Sequence, residues 1–78
     1  MEDRQILSHI QSLVAEEHEL EQRGRRLGPE QLRRLHQIEA ELDQSWDLLR
    51  QRRARRRAGL DPDNATERPR EMVGYYQQ

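Results

Sequence analysis

The sequence predicts an all-α protein, an antiparallel two-helix hairpin of the coiled-coil type followed by an irregular C-terminal tail. Apolar residues recur in steps of three and four over residues 3–23 and again over 29–57, which is the period of a helix face. A break containing two glycines separates these segments at residues 24–28. The 78 residues include one tryptophan, two tyrosines and no phenylalanine, a composition too polar for a compact sheet protein.

The first helix is predicted over residues 3–23. Asp3 suits the positive end of the helix dipole, and Gly24 is the residue type that commonly ends a helix. Spacings of four, three and seven place four apolar residues on one face. These residues are Ile6, Ile10, Leu13 and Leu20.

The second helix is predicted over residues 29–57. Pro29 suits its first position, because the N–H that proline lacks has no partner within the first turn of a helix. A heptad-like pattern in steps of three and four defines the face predicted to pack on the first helix. Its members are Leu32, Leu35, Glu39, Leu42, Trp46, Leu49 and Arg53.

The short connection between the helices sets their register. Five residues force an antiparallel hairpin in which facing positions add up to about 52. Ile10 should then lie near Leu42, and Ile6 near Trp46. The predicted core anchors are Trp46, Ile6, Ile10, Leu42 and Leu49. The second helix should extend past the first by about two turns, which would leave its arginine-rich end without a partner in the hairpin.

The tail is expected to dock partly on this structure. The predicted organisation is a helical hairpin over residues 1–58 and a tail over 59–78. A turn cluster begins the tail at residues 61–64, and the rest is polar with few exceptions. The apolar or aromatic side chains that could fold back are Met72, Val73, Tyr75 and Tyr76.

A single hairpin of this length buries little apolar surface, so a second subunit is expected. Apolar side chains outside the two packing faces give a further surface. They are Leu7, Val14, Ile38 and Leu48. Two hairpins are therefore predicted to form a homodimeric four-helix bundle.

No catalytic, metal-binding or cofactor-binding residues are predicted. His18 and Glu21, like His36 and Glu39, lie one turn apart as in half of a bundle metal site. However, His18 points away from the packing face of the first helix. Solvated or ion-paired histidines are therefore the favoured interpretation. Glu17, on the packing face, is expected to pair with Arg34 or His36 and to fix the register. The chain is not expected to be an enzyme.

The strongest functional signal is a run of six arginines in the eight positions from Arg50 to Arg57. The candidate partner-binding residues are Arg50, Arg52, Arg53, Arg55, Arg56 and Arg57. Three interpretations remain: contact with an anionic protein partner, phosphate binding on RNA or the ribosome, or an intramolecular role. The net charge of −1 weighs against a general nucleic-acid binder. An unidentified protein partner is the first expectation, and nucleic acid the alternative.

Membrane association and secretion are not expected. No apolar run approaches the length needed to span a bilayer, and the first residues lack the basic and then apolar order of a signal peptide. The sequence thus favours a cytoplasmic, non-catalytic interaction module. In that role, the arginine-rich helix end would be presented to the partner.

Two motifs resemble a known family. Residues 6–20, ILSHIQSLVAEEHEL, are similar to its opening ILxxIxxLVxEEHxL. Residues 46–53, WDLLRQRR, with Asp61-Pro62-Asp63, Arg68-Pro69, Val73 and Tyr76, are similar to its ending. The family is domain of unknown function 2630, a group of short actinobacterial proteins. The resemblance carries no activity, but it implies a GC-rich actinobacterial source and a tail that belongs to the module.

Overall fold

The computed structural model describes residues 2–67, apart from the side chain of Arg25. Helix α1 spans Asp3–Gln22, and helix α2 spans Pro29–Arg57. Short 3-10 turns lie between them at Gly24–Arg26 and after them at Pro62–Asn64. The two helices pack against each other, which confirms the predicted all-α fold class. No helix within residues 2–67 is both long and apolar enough to cross a membrane.

Neighbouring residues define the two ends of α1. The Gln5 side chain reaches back one turn, where its Oε1 accepts a hydrogen bond of 2.8 Å from the backbone N–H of Glu2. This bond satisfies one of the N–H groups that a helix start leaves without a partner. After the helix, Gly24 adopts a φ of +52°, a left-handed conformation that a side chain would oppose.

A similar side-chain hydrogen bond and a second glycine define the two ends of α2. Gln31 Oε1 accepts a hydrogen bond of 2.7 Å from the N–H of Gly28, just before Pro29. At the other end Gly59 has a φ of +74°. The N–H of Gly59 then donates to the carbonyl of Arg56 at 3.1 Å, and that of Leu60 to the carbonyl of Arg55 at 2.8 Å. These two bonds form a Schellman cap, which turns the chain back toward the helix.

The core is a single row of aliphatic side chains between the helices. Its members are Ile6, Ile10, Leu13, Leu20, Ile38, Leu42, Leu48 and Leu49. Four of the predicted core anchors, Ile6, Ile10, Leu42 and Leu49, are among them. All four predicted face residues of α1 are buried.

The fifth predicted anchor, Trp46, is not a core residue, since 40% of its surface is exposed. The predicted face of α2 included Glu39, Trp46 and Arg53. The structure instead buries the preceding residue in each case, namely Ile38, Ser45 and Arg52. Leu42 and Leu49 are buried as predicted. Each pair differs by one position, so the helix is rotated relative to the prediction. The rotation places apolar Ile38 and Leu48 in the core and moves the Glu39 carboxylate toward its edge, which lowers the desolvation cost.

The rotation also changes the neighbours of Ile6 and Trp46. Ile6 lines a small cleft with Ser45 and Leu48, rather than lying beside Trp46. Trp46 instead shares a groove with Ile10. At the open end of the hairpin, Asp3 contacts Arg52. The prediction that the arginine block has no partner in the hairpin is therefore wrong for this part of it.

The first residues of the tail lie against α2 on the side of Leu48. Ala65 packs on the core, and Gln51 Nε2 donates a hydrogen bond of 2.6 Å to the carbonyl of Thr66. The 3-10 turn at Pro62–Asn64 contacts the same helix. The side chains predicted to fold back, Met72, Val73, Tyr75 and Tyr76, lie outside the described residues.

Candidate interaction surface

The arginine block divides into two groups by what each side chain contacts. Arg52 belongs to the inner group, and only 8% of its side chain is exposed. Its Nε donates to Asp3 Oδ1 at 2.7 Å, and its Nη1 donates to Asp63 Oδ1 at 2.8 Å. One guanidinium therefore joins the start of α1, the end of α2 and the tail, and it is not available to a partner in this conformation.

Arg55 and Arg56 complete the inner group. Arg55 Nε donates a hydrogen bond of 2.6 Å to the backbone carbonyl of Asp61. Arg56 Nη1 donates to Asp3 Oδ2 at 2.9 Å, and Nη2 of the same side chain also contacts this oxygen. The chain's own acidic residues and backbone thus occupy half of the predicted partner-binding set.

The pKa values at this cluster follow from its hydrogen bonds. Arg52 holds the pKa of Asp3 below its ordinary value, partly against the desolvation of that carboxyl group. Arg52 also lowers the pKa of Asp63. The pKa of Arg52 is raised by the same two partners, Asp3 first and then Asp63. All three groups therefore stay charged through the neutral range.

The outer group consists of Arg50, Arg53 and Arg57, which are exposed. Their spacing of three and four residues places them on one face of α2. Arg50 Nη2 lies 4.0 Å from Asp47 Oδ1, a long separation for an ion pair. These three side chains are the part of the predicted set that a partner could reach.

An exposed apolar groove lies next to the outer group. Exposed surface amounts to 37% for Leu7, 46% for Val14 and 40% for Trp46. The groove is lined by Leu7, Ile10, Gln11, Val14, Ala15, His18 and Trp46. We call this side of the hairpin the Leu7–Trp46 face. The sequence indicates Leu7 and Val14 as surface residues, but it misses Trp46 because a tryptophan among leucines is usually core.

Three glutamates lie at the end of this face nearer the interhelical turn. Desolvation raises the pKa of Glu17, and the charges of Glu21 and then Glu39 raise it further.

The predicted partner of Glu17, Arg34, instead binds Glu16. Arg34 Nε and Nη2 donate to the two carboxylate oxygens of Glu16 at 2.6 and 2.8 Å. The pairing expected to fix the register thus involves the neighbouring acid.

The two histidine–glutamate pairs do not come together as a metal site. His18 Nε2 lies 3.1 Å from Gln22 Nε2, and His36 is exposed. Within residues 2–67, no group of three or more histidine, cysteine or acidic residues has a geometry that could hold a metal ion.

Asp47 is a buried polar residue that the sequence pattern does not indicate. Its side chain is fully buried, and Oδ2 accepts a hydrogen bond of 2.9 Å from Gln51 Nε2. Gln51 also binds the tail through Thr66, so Asp47 supports the contact between α2 and the tail. Nothing in the local sequence distinguishes it from the exposed acids of the same helix.

Comparison with known proteins places the whole described region in one family. The family model for the protein of unknown function DUF2630 matches residues 2–78. Uncharacterized proteins of Mycobacterium tuberculosis and Mycobacterium bovis are 49% identical over 77 residues, covering 95% of this chain and 88% of each relative. No solved structure matches the chain. The chain therefore belongs to the DUF2630 family of proteins of unknown function.

Proposed function

We propose that this chain is a small, non-catalytic protein–protein interaction module that pairs with a second copy of itself through the Leu7–Trp46 face. The observation that carries this proposal is the exposure of Leu7, Val14 and Trp46 along one groove. The groove presents aliphatic and aromatic surface, with Gln11 and His18 as its polar members. Such a face is typical of a surface that a partner covers.

The energetics favour pairing. Removing apolar surface from water contributes about 25 cal/mol per Å². A hairpin with one row of core residues has few such contacts of its own, and short chains often gain the remainder from a second subunit. A half-exposed tryptophan with aliphatic neighbours is also the kind of residue that dominates binding energy at interfaces.

The described part of the tail, residues 61–67, leaves this face open. Residues 61–67 lie on the opposite side of the hairpin, next to Leu48 and Arg52. A second hairpin can therefore dock on the Leu7–Trp46 face without displacing the described part of the tail. Two hairpins joined in this way would form the four-helix bundle expected from the sequence. We place the module in the cytoplasm, because a chain without cysteine needs no oxidising compartment to fold.

The alternative, RNA or ribosome binding through Arg50–Arg57, has less support. Arg52, Arg55 and Arg56 are engaged within the chain, so only the outer group could contact phosphates without rearrangement. Affinity for nucleic acid rises with the number of phosphates that a protein neutralises. Three exposed arginines form a weak site of this kind.

The test compares a substitution in the Leu7–Trp46 face with a control substitution outside it. Val14→Glu places a charge in the groove, whereas Ser12→Glu adds the same charge at an exposed site on another side of α1. Sedimentation equilibrium should show parent and Ser12→Glu as dimers and Val14→Glu as a monomer of 9.4 kDa. A parent that stays monomeric at high micromolar concentration would show the proposal to be wrong.

A further inference from the structure

We infer that the two copies pair antiparallel, about a two-fold axis that crosses the helices near Gln11, so that the outer arginines of one copy meet Glu17, Glu21 and Glu39 of the other. This inference rests on the proposed self-pairing and adds its orientation and its charged contacts. It also assigns Arg50, Arg53 and Arg57 to assembly.

The orientation follows first from the order of residues along α2. Glu39, Trp46 and Arg53 are each seven positions apart and therefore share one face of the helix. Seven residues span about 10 Å of helix. Trp46 is thus flanked at equal distances by an acid toward the turn and a base toward the C-terminal end. Arg50 and Arg57 extend the basic side.

Helix α1 adds the apolar and acidic parts of this order on the same side of the hairpin. Leu7, Val14 and Glu21 are also spaced by seven positions. The apolar pair lies beside Trp46, because all three side chains line one groove. Glu21 and Glu39 both lie between this groove and the interhelical turn, and the charges of both act on Glu17. The Leu7–Trp46 face is therefore acidic at one end, apolar in the middle and basic at the other end.

Symmetry then selects one orientation. A two-fold axis parallel to the helices would place the two basic ends at the same end of the dimer, where like charges repel. An axis across the helices reverses one copy, so each basic end meets an acidic end. The midpoint between Leu7 and Val14 lies at Ile10 and Gln11, and Ile10 is the core neighbour of Trp46 in the groove.

Apart from Arg50, which lies 4.0 Å from Asp47, the charges on this face have no ion-pair partner among the side chains that the structure describes. Among the side chains that the structure describes, Glu17, Glu21 and Glu39 form no ion pair with an arginine, although Glu16 next to them does. Arg53 and Arg57 likewise have no carboxylate within ion-pair distance in residues 2–67, whereas Arg52 has two. A second copy in the antiparallel orientation brings these two unbalanced groups together.

Charge exchange tests the orientation. The R50E/R53E double variant and the E21R/E39R double variant should each dimerise at least about tenfold more weakly than the parent, because each places like charges in contact. A one-to-one mixture of the two should recover a dimer, since opposite charges meet again at both ends. The control R23E/R26E changes the net charge by the same amount as R50E/R53E at exposed sites near the turn and should dimerise like the parent.

Sedimentation equilibrium gives the association constants, and circular dichroism checks that every variant is folded. The neutral variant R50Q/R53Q, with an intermediate affinity, replaces R50E/R53E if the latter is unfolded. A dimeric parent whose affinity is reduced equally by R50E/R53E and R23E/R26E would overturn the orientation and leave self-pairing intact. A monomeric parent would overturn both. Binding of a labelled single-stranded RNA by the parent, lost in R50E/R53E without a change in dimer mass, would assign the arginines to nucleic acid and overturn the inference.

Discussion

Asp3 and Arg52 lie 49 positions apart in the sequence, and Arg52 Nε donates a hydrogen bond of 2.7 Å to Asp3 Oδ1. This contact closes the open end of the hairpin. It also joins the tail, because the same guanidinium binds Asp63. A residue that the sequence places in a surface run of arginines is therefore a structural connection between three parts of the chain.

The neighbouring Arg53 provides a matched control for this role. Arg52→Ala should lower the urea concentration at the midpoint of unfolding, because it leaves Asp3 and Asp63 without their shared partner. Arg53→Ala should leave the midpoint nearly unchanged, since its side chain is exposed. Both should be measured at concentrations where the chain is monomeric. Equal effects of the two substitutions would contradict the structural role of Arg52.

The lowered pKa values of Asp3 and Asp63 predict sensitivity to acid. A carboxyl group whose pKa is lower in the folded chain contributes stability that is present above its unfolded pKa, near the ordinary 3.8. This contribution is lost as the pH falls through the lowered value. The free energy of unfolding should therefore decrease below about pH 4 in the parent. Asp3→Asn should be less stable at neutral pH and show a smaller decrease, and an unchanged pH profile in this variant would refute the assignment.

The rotation of α2 predicts which leucines and isoleucines matter for stability. Ile38 is fully buried, so Ile38→Ala should cost about 2 to 5 kcal/mol. Leu32 belongs to the predicted face but is 44% exposed, and Leu32→Ala should cost less than about 1 kcal/mol. Urea unfolding of both variants measures the difference. A larger effect for Leu32 would indicate that the face inferred from the sequence is the one that packs.

These results show which parts of the fold depend on local sequence. Helix periodicity, Pro29 and the glycines at the helix ends act within a few residues, so the two helices could be predicted. The packing face of α2 could not, because Leu42 and Leu49 belong to both candidate faces. The choice depends on whether Ser45 or Trp46 is buried between the helices, and apolar content alone favours Trp46. Only the packing of both helices together favours Ser45.

The candidate site shows the same limit. The sequence identifies the arginine run, but it does not separate Arg52 from Arg53, which are chemically identical and adjacent. Their environments differ because Arg52 binds Asp3 and Asp63. Asp3 is distant in the sequence, and Asp63 belongs to the tail. The position of Trp46 beside Leu7 and Val14 likewise depends on the register of the hairpin.

A single introduced cysteine tests the central claim, the pairing of two copies through the Leu7–Trp46 face, most directly. The chain contains no cysteine, so any disulfide-linked dimer must form through the introduced residue. Gln11→Cys lies near the proposed axis, and a disulfide requires the two Cα atoms to approach within about 7 Å. Ser12→Cys is the control, because it is exposed on a different side of the helix. Under mild oxidation, non-reducing electrophoresis should show rapid conversion of the Gln11→Cys variant to a linked dimer and little conversion of the control. Equally slow linking of the two variants would contradict the proposed pairing.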